Sequence, residues 1–217
     1  MKLLWISPRG EGLDLATRLR ESGNQVVVYG EGAGLPLVQQ KDLYKFAELS
    51  DLCVIDGSFP LVRTRRSWRP HQDALFFDEL RRAYHVSALG PTPTIDLLTG
   101  DRRYLRKWCG KLGIAYEQPG LAGLSESSAT GEGPRSPSPS LSDFSTGAWF
   151  RGADIVPPGP YLASWQPLFK SVGFRGWFEL SGYVGPDGPV VTGANANWPS
   201  DIPEGSELDF LIKMSAT

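Results

Sequence analysis

The sequence predicts an α/β protein with an open parallel sheet in its N-terminal part and a smaller α+β part at its C-terminus. Over residues 1–89, short apolar segments alternate with helical patterns, which is typical of a parallel sheet with right-handed crossovers. Near the C-terminus, two strand-like segments flank the Gly-Pro-Asp-Gly sequence at 185–188, which is turn chemistry and predicts an antiparallel hairpin. The two parts are therefore expected to differ in sheet type.

The N-terminal elements follow in order from their apolar patterns. Strands are predicted at 3–6, 25–29, 52–55 and 86–89. Helices are predicted at 13–22, 43–49, 72–84 and 95–112, the last broken near Gly100. Because ligands of open parallel sheets bind beyond the carboxyl ends of the strands, the loops 7–12 and 56–61 are expected on the binding edge.

A change of composition divides the chain into three regions. Residues 1–118 carry the alternating pattern and are predicted to form one α/β domain. Residues 119–147 are predicted to be a linker without catalytic groups, because Ser, Gly and Pro make up more than half of them. Residues 148–217 are predicted to form the α+β part, with the hairpin strands at 177–184 and 189–194.

Composition excludes several classes of protein. The 217 residues include 22 Lys and Arg against 24 Asp and Glu, so a formal charge of −2 favours neither nucleic acid nor an acidic membrane as a partner. No apolar run approaches the roughly 20 residues of a membrane span, and Pro8 interrupts the first run too early for a secretion signal. Two cysteines and two histidines supply neither a zinc module nor a disulfide framework. We expect a cytoplasmic protein with a small ligand, and self-association or a protein partner stays open.

Small and polar residues on the expected binding edge suit a phosphorylated ligand. Arg9 stands beside Gly10 and Gly12, and small residues let backbone N–H groups converge on a phosphate at a helix start. The Asp-Gly-Ser segment 56–58 could hydrogen-bond a ribose or an amine. An ordinary structural role stays open for both, since any βα turn needs such glycines and Asp-Gly-Ser is common turn chemistry.

Two further features are a basic cluster and a high tryptophan content. The cluster consists of Arg63, Arg65, Arg66 and Arg69 around Trp68; such groups bind phosphate or stack on bases, and the alternative is a solvated loop. Four of the seven tryptophans follow residue 148, where large aromatic side chains either enlarge a small core or stack on a ligand.

Five segments carry, in chain order, motifs of one known family. They are 6–12 (ISPRGEG), 54–62 (VIDGSFPLV), 89–92 (LGPT), 111–115 (KLGIA) and the pair 173–176 (GFRG) with 193–197 (GANAN). Together they resemble the glycinamide ribonucleotide synthetase (phosphoribosylamine–glycine ligase) family of the ATP-grasp superfamily. The resemblance implies a pre-ATP-grasp, Rossmann-like domain followed by a reduced ATP-grasp-like core. It also implies ATP and Mg²⁺ as cofactors if the ligase reaction is retained.

The resemblance implies a set of site residues. The substrate or phosphate would meet Arg9, Gly10, Gly12, Asp56, Gly57 and Ser58. Arg102 stands where the family has an ATP-contacting lysine. Asn195 and Asn197 stand where the family has a metal-binding Glu-x-Asn pair, and Glu179 is the carboxylate that could complete a metal site.

These departures favour a degenerate family member. A neutral asparagine pair is a poor substitute for anionic Mg²⁺ ligands, and an arginine fork differs from a compact ammonium. The first hypothesis is a weakly catalytic or non-catalytic protein that binds a phosphorylated sugar or nucleotide. The alternative is an active ATP-dependent carboxylate–amine ligase of purine-biosynthesis type. The shortened chain also resembles compact phage-encoded versions of metabolic enzymes, which would place it in the host cytoplasm.

Overall fold

The computed structural model describes residues 1–30, 34–117, 142–151, 154–156, 161–199 and 207–215. Its strands are β1 (Lys2–Ser7), β2 (Gln25–Gly30), β3 (Leu52–Ile55), β4 (Val62–Arg63), β5 (Trp68–Arg69), β6 (Ala88–Leu89), β7 (Ala115–Tyr116), β8 (Ser142–Arg151), β9 (Asp154–Val156), β10 (Arg175–Gly185) and β11 (Gly188–Asn195). Its helices are α1 (Leu13–Glu21), α2 (Leu43–Leu49), α3 (Gln72–Ala83), α4 (Pro93–Gly100), α5 (Arg102–Lys111), α6 (Gln166–Ser171) and α7 (Glu207–Ser215). None of these helices has the length and apolar character needed to cross a membrane.

A four-stranded parallel sheet forms the N-terminal part, in the order β2-β1-β3-β6. Alternate residues of β1 serve two cores. Leu3 and Trp5 pack with α1 on one face, while Leu4 and Ile6 pack with α2 and α3 on the other. Because both faces are covered, β1 reads as a continuous apolar run, and the predicted parallel α/β arrangement is confirmed.

A five-stranded mixed sheet forms the C-terminal part, in the order β7-β11-β10-β8-β9. β10 pairs antiparallel with β11 and β8, and β7 runs parallel to β11. One face of this sheet packs on α4, α5 and α6 through a cluster that includes Phe150, Phe169 and Phe178. The hairpin predicted from the turn at 185–188 is β10–β11.

Tryptophans join the two sheets. Trp5 of β1 meets Trp198 with ring centroids 5.6 Å apart, and Trp198 meets Trp149 of β8 at 5.0 Å. Trp149 also meets Phe210 of α7 at 5.0 Å. All four rings belong to one core cluster and meet edge to face, a geometry that adds to the stabilisation from burial. These tryptophans therefore enlarge the core.

The structure shifts the predicted boundary between linker and C-terminal part. Residues 142–147, predicted to belong to the linker, form the first half of β8, where Ser142 pairs with Val184 and Thr146 is buried. Ser and Gly are accommodated in this strand because β10 supplies a backbone partner to every residue, which composition does not reveal. The rest of the predicted linker, residues 119–141, lies outside the described residues.

The segment 93–117 packs with the C-terminal sheet, although the sequence analysis placed it in the N-terminal domain. Ile95 and Leu98 of α4 and Leu105 of α5 share a core cluster with Phe150 and Phe178. β7 is an edge strand of the second sheet. An apolar helix stripe predicts that the helix is buried on one side, but it does not say which sheet covers it.

Candidate functional site

A cavity of about 470 Å³ lies where the two sheets meet. Its walls come from the loops after β1 and β3, from α4 and from the end of β11. The lining residues are Arg9, Ser58, Phe59, Pro60, Leu61, Trp68, Asp96, Thr99, Gly100, Ala194, Asn195 and Asn197. The cavity is therefore on the edge expected for ligands of an open parallel sheet. It brings together four of the site residues implied by the family resemblance: Arg9, Ser58, Asn195 and Asn197.

Asp56 organises the loops beside this cavity and does not line it. Its Oδ2 accepts hydrogen bonds from Trp5 Nε1 at 2.8 Å, Ser7 Oγ at 2.7 Å and the Gly12 N–H at 2.8 Å. Its backbone carbonyl accepts the N–H of Trp198 at 2.9 Å. Burial raises the pKa of the Asp56 carboxyl, and the three donors act against that rise. The Gly12 N–H is thus committed to Asp56, which ties β1, the start of α1 and the segment after β11 together.

Gly57 lets two polar side chains approach the loop after β3. A Cβ at this position would overlap the Glu11 carboxylate and would lie 3.2 Å from Oδ1 of Asn197. The same oxygen of Asn197 accepts the N–H of Ser58 at 3.3 Å. Burial, followed by repulsion from Asp56, raises the pKa of the Glu11 carboxyl. Sequence reasoning missed Glu11, although its position between two glycines of the first loop was a signal.

Asp96 brings an unpaired carboxyl group to the cavity wall. It is 1% exposed, and neither of its carboxyl oxygens has a hydrogen-bond partner among the described residues. Burial raises the pKa of Asp96 to about 7, opposed by the nearby Phe59 backbone, the Ser58 hydroxyl and the guanidinium groups of Arg81 and Arg9. Sequence reasoning also missed Asp96, although a carboxylate inside the apolar run of α4 was the available signal.

Arg9 and Trp68 border the exposed side of the cavity. The turn that carries Arg9 passes through Gly10, whose φ of 83° favours glycine. Trp68 of β5 is 43% exposed, and the Arg63 guanidinium lies 6.0 Å from its ring centroid. The basic cluster of the sequence is therefore the β4–β5 hairpin, and its tryptophan reaches the cavity.

Arg102 and Glu179, implied by the family resemblance as ATP and metal contacts, do not line the cavity. Arg102 is exposed in the first turn of α5, where its charge acts on Tyr116. Glu179 of β10 is the cross-strand partner of Asn195, but its carboxylate accepts a hydrogen bond from Ser145.

The residues implied as Mg²⁺ ligands do not fit that ion in this arrangement. Asn195 Oδ1 accepts the Asn197 N–H at 3.0 Å, and Asn197 Oδ1 accepts the Ser58 N–H. Glu179 is engaged by Ser145. In the part of the chain that the structure describes, no group of three or more His, Cys, Asp or Glu could hold a metal. Mg²⁺ requires octahedral coordination by oxygens that come mostly from carboxylates or water. Two neutral amides whose oxygens already accept hydrogen bonds therefore suit an organic ligand better.

Comparison with known proteins bears on the fold. The sequence matches no known family and no curated protein. The structure matches the phosphoribosylaminoimidazole carboxylase ATPase subunit from Aquifex aeolicus (TM-score 0.57, 10% identity, 99% of this chain and 76% of that one). It also matches N5-carboxyaminoimidazole ribonucleotide synthetase from Thermotoga maritima (TM-score 0.55, 11% identity, 92% of this chain and 69% of that one).

Larger proteins show the same likeness. The urea carboxylase of Kluyveromyces lactis matches 99% of this chain with a TM-score of 0.54 and 10% identity, and the match spans 22% of that protein. These neighbours have the ATP-grasp fold, so the predicted ATP-grasp-like α/β architecture is confirmed. At such low identity the likeness concerns the fold alone.

Proposed function

We propose that the protein binds a phosphorylated sugar or nucleotide in the cavity between the two sheets, and that its catalysis is weak or lost. The observation that carries this is the joint placement of the Arg9 guanidinium with the hydroxyls of Ser58 and Thr99 and the amides of Asn195 and Asn197. A guanidinium matches phosphate oxygens, and neutral hydroxyls and amides suit the hydroxyls of a sugar. The cavity volume is in the range of small-ligand sites.

The two sides of the cavity favour one orientation of such a ligand. On the exposed side, Arg9 supplies positive charge for the phosphate, and Trp68 offers an indole face on which a base or sugar can stack. On the inner side, the buried Asp96 and the half-buried Asn197 offer hydrogen-bonding groups. We therefore expect the sugar to bind inward and the phosphate outward.

In this proposal the protein is a divergent relative of the glycinamide ribonucleotide synthetase family, phage-encoded and located in the host cytoplasm. The order of the five sequence motifs supports the family. Both cysteines, Cys53 and Cys109, are buried and free, as suits a reducing compartment.

An active ATP-dependent carboxylate–amine ligase is the second candidate. The names of the structural neighbours, which include a carboxylase and a ribonucleotide synthetase, favour it. The hydrogen bonds that already occupy Asn195, Asn197 and Glu179 count against it.

Replacing Arg9 by alanine is expected to weaken ligand binding about 10- to 100-fold, the usual worth of a charge-assisted hydrogen bond. Titration calorimetry with ribose 5-phosphate, AMP and glycinamide ribonucleotide measures this. Arg102→Ala is the matched control, because it removes another exposed arginine that does not line the cavity. If none of the three compounds saturates wild type at millimolar concentration, the binding proposal is wrong.

ATP turnover is expected to be absent or far below 1 s⁻¹, because no group of three or more His, Cys, Asp or Glu among the described residues could hold Mg²⁺. Phosphate release with Mg²⁺, across a panel of amino acids with phosphoribosylamine, measures it. Turnover of about 1 s⁻¹ or more, in the ordinary enzyme range, and abolished by Glu179→Gln, would establish the ligase instead.

A further inference from the structure

A second cavity, of about 650 Å³, lies at the opposite edge of the parallel sheet. It is bordered by the last turn of α3, by the segment 85–88 that leads into β6, and by the end of α6 with the start of β10. It shares no lining residue with the first cavity. The proposed function makes no use of it.

Positive charge dominates this second cavity. Arg81, Arg82, Lys170 and Arg175 line it, and Asp78 is the single carboxylate among its described lining residues. Asp78 is engaged by Arg82, whose Nε lies 2.9 Å from its Oδ2. The other three cations line the cavity with no carboxylate at salt-bridge distance within the described ranges, although Arg175 Nη1 already donates to the Ser215 carbonyl at 2.5 Å.

Arg81 is held in place but is not fully satisfied. Its Nη atoms donate to the carbonyls of Gly90 at 2.9 Å and Pro91 at 3.2 Å. Its Nε is buried and has no hydrogen-bond partner among the residues described. Burial lowers the pKa of Arg81 to about 10; the charges of Asp78, Cys53 and Asp96 oppose this shift, and repulsion from Arg175 adds to it. The guanidinium is still charged at neutral pH. An anion in the cavity would offset both the burial of this charge and the lack of a hydrogen-bond partner at Nε.

Two side chains with free polar groups complete the cavity. Lys170 is exposed, and its ammonium has no ion pair within the described parts of the chain. His85 follows the C-cap Tyr84 of α3 and adopts a left-handed φ of 54°, a position that glycine usually fills. A histidine at this position adds an imidazole that can form hydrogen bonds to the lining, although a positive φ is unfavourable for a residue other than glycine.

The lining selects by charge and offers no surface for a base. No Phe, Tyr or Trp is among the described residues of this cavity, whereas the first cavity has Phe59 and Trp68. A nucleobase would therefore find nothing to stack on.

We propose that this cavity is a second binding site, for a small, multiply charged phosphate without an aromatic ring, such as pyrophosphate. Guanidinium forks bind phosphate oxygens in pairs, and three cations without a carboxylate at salt-bridge distance among the described residues match more than one negative charge. Arg81 belongs to α3, whereas Lys170 and Arg175 belong to the C-terminal part, so the bound anion bridges the two. Gly90 already joins them here, since its N–H donates to the Arg175 carbonyl. Binding is thus expected to stabilise the folded chain.

Titration calorimetry with pyrophosphate at low ionic strength tests this site. We expect saturable binding to wild type, and binding about tenfold or more weaker to Lys170→Glu. Lys107→Glu is the matched control, because it reverses an exposed lysine of α5 that lines neither cavity. Arg9→Ala, which alters the first cavity, should keep the pyrophosphate affinity. Succinate should bind about tenfold or more weakly than pyrophosphate.

Each contrary result overturns a stated part of the proposal. Equal weakening by the two lysine variants would mean general charge attraction and no site. Loss of binding in Arg9→Ala would place the anion in the first cavity. Succinate binding as tight as that of pyrophosphate would refute the phosphate assignment, and no saturation at millimolar pyrophosphate would refute the site. Because Lys170 is exposed, misfolding is not expected to obscure these results, and circular dichroism checks this.

Discussion

Asp56→Ala is expected to lower the free energy of unfolding by about 3–6 kcal/mol. The substitution leaves three donors without their acceptor: Trp5 Nε1, Ser7 Oγ and the Gly12 N–H. Each buried donor left unpaired destabilises the folded state by about 1–3 kcal/mol. Part of this loss is offset, because the variant no longer buries the carboxyl group, whose unfavourable burial is seen in the raised pKa of Asp56. A loss of this size is a large share of the stability of an ordinary protein of about 5–15 kcal/mol.

Urea unfolding followed by tryptophan fluorescence measures the loss. Asp56→Asn should fall between wild type and Asp56→Ala, because its amide oxygen can still accept some of the donors. Asp51→Ala is the matched control: this exposed carboxylate accepts one backbone N–H, from Lys2 at 2.7 Å, and its removal should cost under about 1 kcal/mol. Equal losses for Asp51→Ala and Asp56→Ala would contradict the central role of Asp56.

Asp96→Asn is expected to remove a pH dependence of stability worth about 4 kcal/mol. The pKa of Asp96 is about 7 in the folded chain, against 3.8 for an ordinary aspartate, and burial is the main cause. Because the folded-state value is raised, the stability that this group contributes is fully present below about pH 4 and is lost as the pH rises through 7. Three pKa units at about 1.4 kcal/mol each give the size of the effect.

The measurement compares unfolding free energies of wild type and Asp96→Asn between pH 4 and pH 8. The two should be about equally stable at pH 4, and the variant should be the more stable at pH 8. Glu11 and Asp56 also have raised pKa values and keep their own contributions in both proteins. The difference between the two curves therefore isolates Asp96, and parallel curves would contradict the assignment.

Local patterns predicted most of the elements because each was decided within a few residues. The helix at 43–49 and the strand at 52–55 are found at the predicted bounds. Gly100 divides the long helical segment as expected, with α4 ending there and α5 beginning at Arg102. By contrast, β8 depends on pairing with β10, some 30 residues further along the chain, and its Ser and Gly content gave no sign of that partner.

The candidate site was predictable only in part for the same reason. Arg9 and Ser58 lie in loops whose position follows from the parallel sheet, and both line the cavity. Asp96 lines the cavity because α4 contacts the loop after β3, where Thr99 Oγ1 lies 3.1 Å from Ser58 Oγ, and this contact is a tertiary event. Asp56 has the residue type of a ligand-binding group, but its three donors come from residues 44 to 51 positions away. Spacing along the chain did not show that it is committed internally.

A crystal structure of the protein grown with ribose 5-phosphate tests the central claim most directly. We expect the sugar in the cavity between the two sheets, with its phosphate against Arg9 and its hydroxyls toward Asn195 and Asn197. Sugar density elsewhere, or none in a crystal whose Arg9 cavity is open to solvent, would contradict it.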